Sequence, residues 1–235
     1  MTAAASDDPR SAVVEACRRL RRDGLVVGTA GNVSALLEPD RVVVTPSGVR
    51  YDAMTVADLV EVDPAGRVVA GRRAPTSELA MHLAMYRHGG DGAEHGGADT
   101  EPDGIGHGEA VRAVVHTHSP AATAVSTLVT ELPSIHYALA GMGGPVRVAA
   151  YATFGTPQLA AAATAAMLGR SACLLANHGA LTVGASLEDA LERAEVLEWQ
   201  CRVWLMAAAA GRPTVLTNQQ IEDVTVRLGG YGQPF

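Results

Sequence analysis

The sequence predicts a single α/β domain with a mixed, mostly antiparallel central sheet and helices on both faces. Three observations carry this reading. Short runs rich in Val, Leu and Thr alternate with longer segments of helical periodicity along most of the 235 residues. Several strand-like runs are joined by turns too short for the crossover that a parallel pair requires. Apolar residues make up 48% of the chain and charged residues 18%, enough for one generous core and too apolar for a disordered chain.

The elements follow in order. Residues 10–23 read as an amphipathic helix, with Val13, Val14, Cys17 and Leu20 on one face and Gly24 as its stop. Arg18, Arg19, Arg21 and Arg22 give this helix a charged face. The stretch GLVVGTAGNVSALLEPDRVVVTPSG, 24–48, alternates β-rich pieces with Gly and Pro turns. APTSELAMHLAMYRH, 74–88, reads as a helix with Pro75 and Thr76 at its start and Glu78 in its first turn. Residues 88–109 are rich in Gly, Asp, Glu and His and read as an inserted, flexible surface loop.

AVRAVVHTH, 110–118, is a buried strand, and a helix follows with Ser119 as N-cap and Pro120 at the first position. Thr156, Pro157 and Gly169 repeat that grammar around a second alanine-rich helix. SACLLANHGALTVG, 171–184, is two short strands around a turn. The longest helix begins at Ser186, which forms a capping box with Asp189, and buries Leu187, Ala190, Leu191, Ala194, Cys201 and Leu205. Trp199 and Trp204 belong to its core or to an interface. The whole chain, 1–235, is expected to be one domain with a flexible tail at 1–9.

A net charge of −7 disfavours nucleic acid as a partner. Cys17, Cys173 and Cys201 lack a CxxC spacing and read as buried free thiols in a reducing compartment. With no leader-like start and no apolar run of roughly 18 residues, the expectation is a cytoplasmic protein without membrane contact.

His116 and His118 stand at i and i+2 in a strand and point to one face, so both can reach one ion. The pair alone is a weak signal. A cupin-like site would place a Glu a few residues on, and an HxHxDH hydrolase would place Asp and His where Pro120 and Ala121 stand. The best third ligand is His178 in LLANHGAL, which could equally cap a carbonyl in its turn. Glu78 is a possible carboxylate partner, or an ordinary acidic residue at a helix N-terminus. Three stretches, GTAGNVS (28–34), TPSG (45–48) and PTSE (75–78), combine small residues, hydroxyls and exposed amides, as anion-binding nests do.

Taken together, GTAGNVS, VVVTPSG, PTSELAMH, VVHTHS, IHYALAG, AAYATFGT, LLANHGAL and the final GGYG resemble the class II, zinc-dependent sugar-phosphate aldolases of the L-fuculose-1-phosphate aldolase type, whose relatives include pentulose 5-phosphate 4-epimerases and the adducin head domain. The resemblance runs from about residue 10 to 232. It implies one zinc ion per subunit held by His116, His118 and His178, with Glu78 as a fourth ligand that also acts as acid/base. It implies phosphate contacts from Gly31, Asn32, Ser47, Gly48, Thr76 and Ser77. Thr76 stands where these aldolases usually have Ser and keeps the hydroxyl.

Tyr137 would reach the site from a neighbouring subunit of a homotetramer, and Tyr231 would handle the aldehyde half. His82 and His136 read as neighbours that pack or orient. The implied activity is cleavage of a ketose 1-phosphate, either L-fuculose 1-phosphate or a 5-deoxy- or 5-methylthio-ribulose 1-phosphate, to dihydroxyacetone phosphate and a small aldehyde. The alternatives are a pentulose 5-phosphate 4-epimerase, a sugar-acid phosphate decarboxylase, or an adducin-like binding domain that has lost its metal. Every one of the 18 basic residues is arginine, so a lysine Schiff base is excluded.

Overall fold

A computed structural model describes residues 8–89, 104–106 and 110–228. Tyr231, most of the expected tail and most of the expected 88–109 loop lie outside them. In chain order the elements are α1 (Pro9–Arg22), β1 (Asn32–Glu38), β2 (Arg41–Val44), β3 (Val60–Val62), β4 (Val68–Ala70), α2 (Leu79–His88), β5 (Ala113–Thr117), α3 (Pro120–Ser126), β6 (Glu131–Leu132), β7 (Val146–Ala149), α4 (Pro157–Met167), β8 (Ala172–Leu175), β9 (Gly179–Gly184), α5 (Leu187–Ala210) and α6 (Asn218–Leu228). The strands form one sheet in the order β4-β3-β2-β1-β5-β9-β8-β7-β6. Only β7–β8 is parallel, because α4 supplies the crossover between them. The mixed, mostly antiparallel sheet is the one the short turns predict.

Alternation along β5 assigns the two faces. Val115 packs with Val13, Cys17 and Leu20 of α1 and with Ala190 and Leu191 of α5. Val114 faces the other way, among Met81 and Met85 of α2 and Leu159 and Ala163 of α4. A third cluster seats α3 against α5 through Ala122, Val125, Leu197 and Cys201. The three cysteines are buried and unbridged. Among the described residues no helix is long and apolar enough to cross a membrane.

Local chemistry explains most boundaries and corrects a few expectations. The Asp8 carboxylate accepts from the Arg10 N–H at 3.1 Å and Pro9 opens α1. The arginine face of α1 is partly docked, since Arg19 pairs with Glu195 at 2.6 Å and with Glu188 on α5. The Ser186 hydroxyl accepts from the Asp189 N–H at 3.1 Å, but the Asp189 carboxylate bonds that same hydroxyl at 2.7 Å instead of the Ser186 N–H, so only half of the expected capping box forms.

The helix expected from Pro75 begins instead at Leu79. Pro75 is held in an isolated bridge to Pro46, and Glu78 occupies the N-cap position, not the first turn. β3 and β4 have three residues each, too few to show a period, and α6 also went unforeseen.

α3 depends on a buried carboxylate. Glu198 of α5, 3% exposed, accepts from the N–H groups of Ala121 at 3.0 Å and Ala122 at 2.9 Å, and Arg202 steadies it at 3.1 Å. It satisfies two donors that the first turn of a helix leaves open. Glu198→Ala strands both in an apolar layer, and we expect it to cost about 2–4 kcal/mol of stability, measured as a lower urea midpoint with an unchanged slope.

Candidate metal centre and active site

Three neighbouring strands end at one place. Asn32 of β1 lies opposite His116 of β5, and Thr117 of β5 lies opposite Ala180 of β9. His118 is one residue past β5 and His178 one residue before β9. Gly179 permits the approach of the two: a Cβ there would collide with the Thr117 carbonyl and stand 3.3 Å from the His118 Cα. Asn177 makes the turn ahead of it with φ 56°, a left-handed conformation that asparagine tolerates, and its N–H is held by the Ser126 hydroxyl at 3.1 Å. From the opposite side, the Thr76 hydroxyl accepts from the Glu78 N–H at 3.3 Å and fixes the start of α2.

One ligand atom each from Glu78, His116, His118 and His178 falls within a 4.8 Å group. The Nε2 atoms of His116 and His118 are 3.0 Å apart, and those of His118 and His178 are 3.1 Å apart. The Glu78 oxygens lie 3.2 Å from His116 Nε2 and 3.4 Å from His178 Nε2. His116 Nδ1–H donates to the Ala180 carbonyl at 2.8 Å, which leaves the Nε2 lone pair facing the group. Glu78 Oε1 is buried without a hydrogen-bond partner.

The residues fit a zinc ion. Donors bound tetrahedrally at ~2.0–2.1 Å stand roughly 3.3 Å from one another, close to the spacings found. Three imidazoles and one carboxylate are a donor set zinc accepts, and a cation would satisfy the converging lone pairs and balance the buried carboxylate charge.

The electrostatics favour free lone pairs over protonated nitrogens. Burial pushes His118 and His178 down to about 4. Burial pushes His82 down to about 3. Burial alone would raise the Glu78 carboxyl, but the His116 ring and the Asn32 amide outweigh it and hold that carboxyl well below the usual range.

Glu78, His118 and His178 line a cavity of about 350 Å³. Gly31, Asn32, Ser47, Gly48, Thr76 and Ser77, the six residues expected at the phosphate, line the same cavity. Gly31 has φ +81°, and a Cβ there would stand 2.8 Å from the His116 carbonyl, so glycine is required. Asn32 differs from the simple expectation: its Nδ2 donates to Glu78 Oε2 at 2.8 Å and its Oδ1 faces His82 Nε2 at 2.5 Å.

Thr29, Asn177, Tyr151 and Phe154 also line the cavity, the last two largely exposed at its mouth. None of these four was singled out from the sequence. Asn177 was within reach, since it precedes a candidate ligand at a turn. Tyr137 is not part of this cavity in its own chain. It is 54% exposed and stacks on His136 at 4.4 Å, a ring held by Gln200 at 3.1 Å.

Comparison with known proteins agrees with this geometry. The family profile for the Class II Aldolase and Adducin N-terminal domain matches residues 11–205. The chain is 36% identical over 225 residues to the 5-deoxy-D-ribulose 1-phosphate aldolase of Bacillus thuringiensis serovar kurstaki, covering 95% of this chain and 97% of that one. It is 34% identical over 222 residues to the L-fuculose phosphate aldolase of Escherichia coli K12, covering 94% of each. A solved L-fuculose 1-phosphate aldolase superposes with a TM-score of 0.83 at 34% identity, over 96% of this chain and 98% of that one. With nearly its whole length aligned to such proteins, the chain belongs to the class II aldolase and adducin family.

Proposed function

We propose that this protein is a zinc-dependent aldolase that reversibly cleaves a ketose 1-phosphate to dihydroxyacetone phosphate and a small aldehyde. L-Fuculose 1-phosphate and 5-deoxy- or 5-methylthio-ribulose 1-phosphate are the candidate substrates, in keeping with the names of its relatives. The observation that carries the reading is one cavity lined by Glu78, His118 and His178 of the three-histidine, one-carboxylate group together with small polar residues.

His116, His118, His178 and Glu78 would hold one zinc ion per chain. When bound, the ion supplies Lewis acidity to the ketose oxygens beside the bond that breaks. The rest is work for side chains and amides. Ser47, Gly48, Thr76 and Ser77 seat the phosphate, which fixes the reacting carbons relative to Glu78. Cleavage breaks the C3–C4 bond. The C4 hydroxyl gives its proton to water, directly or through a tyrosine hydroxyl, and becomes the aldehyde, while the bonding pair stays on C3. Glu78 draws a proton from water. C3 then takes a proton from Glu78, and in the reverse direction Glu78 removes it.

Tyr231 or the partner subunit's Tyr137 would hydrogen-bond the aldehyde oxygen. Exposure of Tyr137 away from its own chain's cavity supports a homotetramer with shared sites. Tyr151 and Phe154 at the mouth would shield the reacting carbons from water.

Chelation should abolish release of dihydroxyacetone phosphate from these substrates, and added zinc should restore it. Glu78→Gln should keep zinc through the three histidines yet lower kcat by about 10²–10⁴; full activity in a zinc-loaded Glu78→Gln enzyme overturns the assignment. Ser77→Ala, at an exposed phosphate contact, should raise KM roughly tenfold and leave kcat within a few-fold.

The metal-free protein should also show a specific acid response. An unfolded histidine protonates near 6.5, whereas His118 and His178 resist protonation until about 4. Between these values the unfolded chain binds more protons, so stability holds above 6.5 and falls as pH drops toward 4. Urea midpoints measured with chelator across this window should decline in wild type and decline less in His118→Ala/His178→Ala.

A further inference from the structure

A buried chain of side chains leads away from Glu78 and has no part in the proposed chemistry. Glu78 Oε2 accepts from Asn32 Nδ2 at 2.8 Å, Asn32 Oδ1 faces His82 Nε2 at 2.5 Å, His82 Nδ1 faces the Ser34 hydroxyl at 2.7 Å, and that hydroxyl faces the Tyr86 hydroxyl at 2.7 Å. Asn32, Ser34 and His82 are at most 5% exposed. Glu78, His82 and Tyr86 recur every fourth residue along α2, and Asn32 and Ser34 share one face of β1.

Donor and acceptor accounting gives this chain one direction. A carboxylate only accepts, so Asn32 turns its NH2 to Glu78 and its oxygen to His82. His82 must then carry its proton on Nε2, which leaves Nδ1 bare. Ser34 spends its only hydrogen on Nδ1 and accepts from Tyr86. The result is asymmetric at Glu78: Oε2 is tethered, and Oε1 is buried with no partner.

We propose that Asn32 and His82 are positioning residues that clamp Glu78 through Oε2 and leave Oε1 as the oxygen that exchanges the proton with the substrate carbon. This rests on the aldolase reading. The proton leaves its electron pair on carbon, resides on Oε1 and returns to the same carbon, or exchanges with solvent in between. Zinc ligation by the three histidines does not require the chain, so its loss separates turnover from binding.

The test uses two polar replacements of His82. In His82→Gln the amide reaches the Nε2 position and can still donate to Asn32; in His82→Asn it reaches only the Nδ1 position, on the Ser34 side. Deuterium exchange into dihydroxyacetone phosphate, followed by NMR in zinc-loaded protein, reports the proton transfer alone. We expect His82→Asn to lower kcat and exchange on the order of 10- to 100-fold with zinc content and KM near wild type, and His82→Gln to retain most of both.

Nitrogen-15 spectra of the zinc-free wild type, which need no activity, should show His82 as the neutral Nε2–H tautomer. An Nδ1–H tautomer, or equal activity in the two variants, overturns the clamp. Absence of exchange in zinc-loaded wild type overturns the aldolase reading and the clamp's catalytic role with it, and leaves the tautomer result standing separately.

Discussion

The pairing of β5 with a strand on each side is the constraint from which the site follows. The β1 register puts Asn32 opposite His116, and the β9 register puts Ala180 opposite Thr117, so that His178 arrives beside His118. A slip of one residue in either pairing would turn His116 to the opposite face and scatter the group. Gly179 and Gly31 guard this arrangement, each where a side chain would press on the β5 backbone at Thr117 or His116. Hydrogen-bonded ladders buried on both faces open least often, so His116 within β5, and His118 and His178 just beyond the strand ends, are anchored on a stable part of the fold. Glu78 comes from elsewhere. It sits at the N-cap of α2, just ahead of the helical ladder, and is tied to the sheet through Asn32 of β1.

Burial sets up an electrostatic tension that the fold does not relieve from its own residues. Three imidazoles with converging nitrogens and a carboxylate share a poorly solvated pocket, and desolvation disfavours protons on His118 and His178. A neutral imidazole with a free lone pair is the form a metal binds. The Ala180 carbonyl works in the same sense by fixing the proton of His116 on the far nitrogen. The group is thus held ready for a cation at neutral pH, and its cost falls on the unoccupied protein as acid sensitivity.

Much of this was legible in the sequence because its periods are short. HxH at i and i+2 states that two side chains share a face, and the Gly after His178 marks a close approach. The Pro and Ser or Thr signals located α3, α4 and α5 within a few residues. The start of α2 was misread because Pro75 is a good first residue for a helix, yet here its backbone bridges to Pro46. That contact lies 29 positions away and leaves no local trace.

Asn32 shows the same limit. As part of a Gly-rich nest it reads as an anion contact, whereas its amide is committed to Glu78 and His82, partners brought by packing of α2 on β1. The spacing of Glu78, His82 and Tyr86 was visible, but three polar residues on a helix face say nothing of what they meet. Tyr151 and Phe154 went unnoticed because aromatic residues in a loop carry no period at all.

The absence of lysine sharpens what the remaining groups must do. Breaking a carbon–carbon bond next to a carbonyl leaves an electron pair that needs a sink, and an iminium from lysine is not available to this chain. Arginine stays protonated and cannot serve as the base. Among the described residues, Glu78 and three histidines bring their donor atoms together, and Glu78, His118 and His178 also line the cavity. The fold therefore divides the work by element. Strand ends carry the three histidines, a helix start carries the carboxylate, and glycine- and hydroxyl-rich turns complete the cavity lining. Tyr151 and Phe154 stand on the loop after β7, apart from all three. Changes there can reshape the cavity without disturbing the ladder beside the histidines, because exposed loop side chains contribute little to the core.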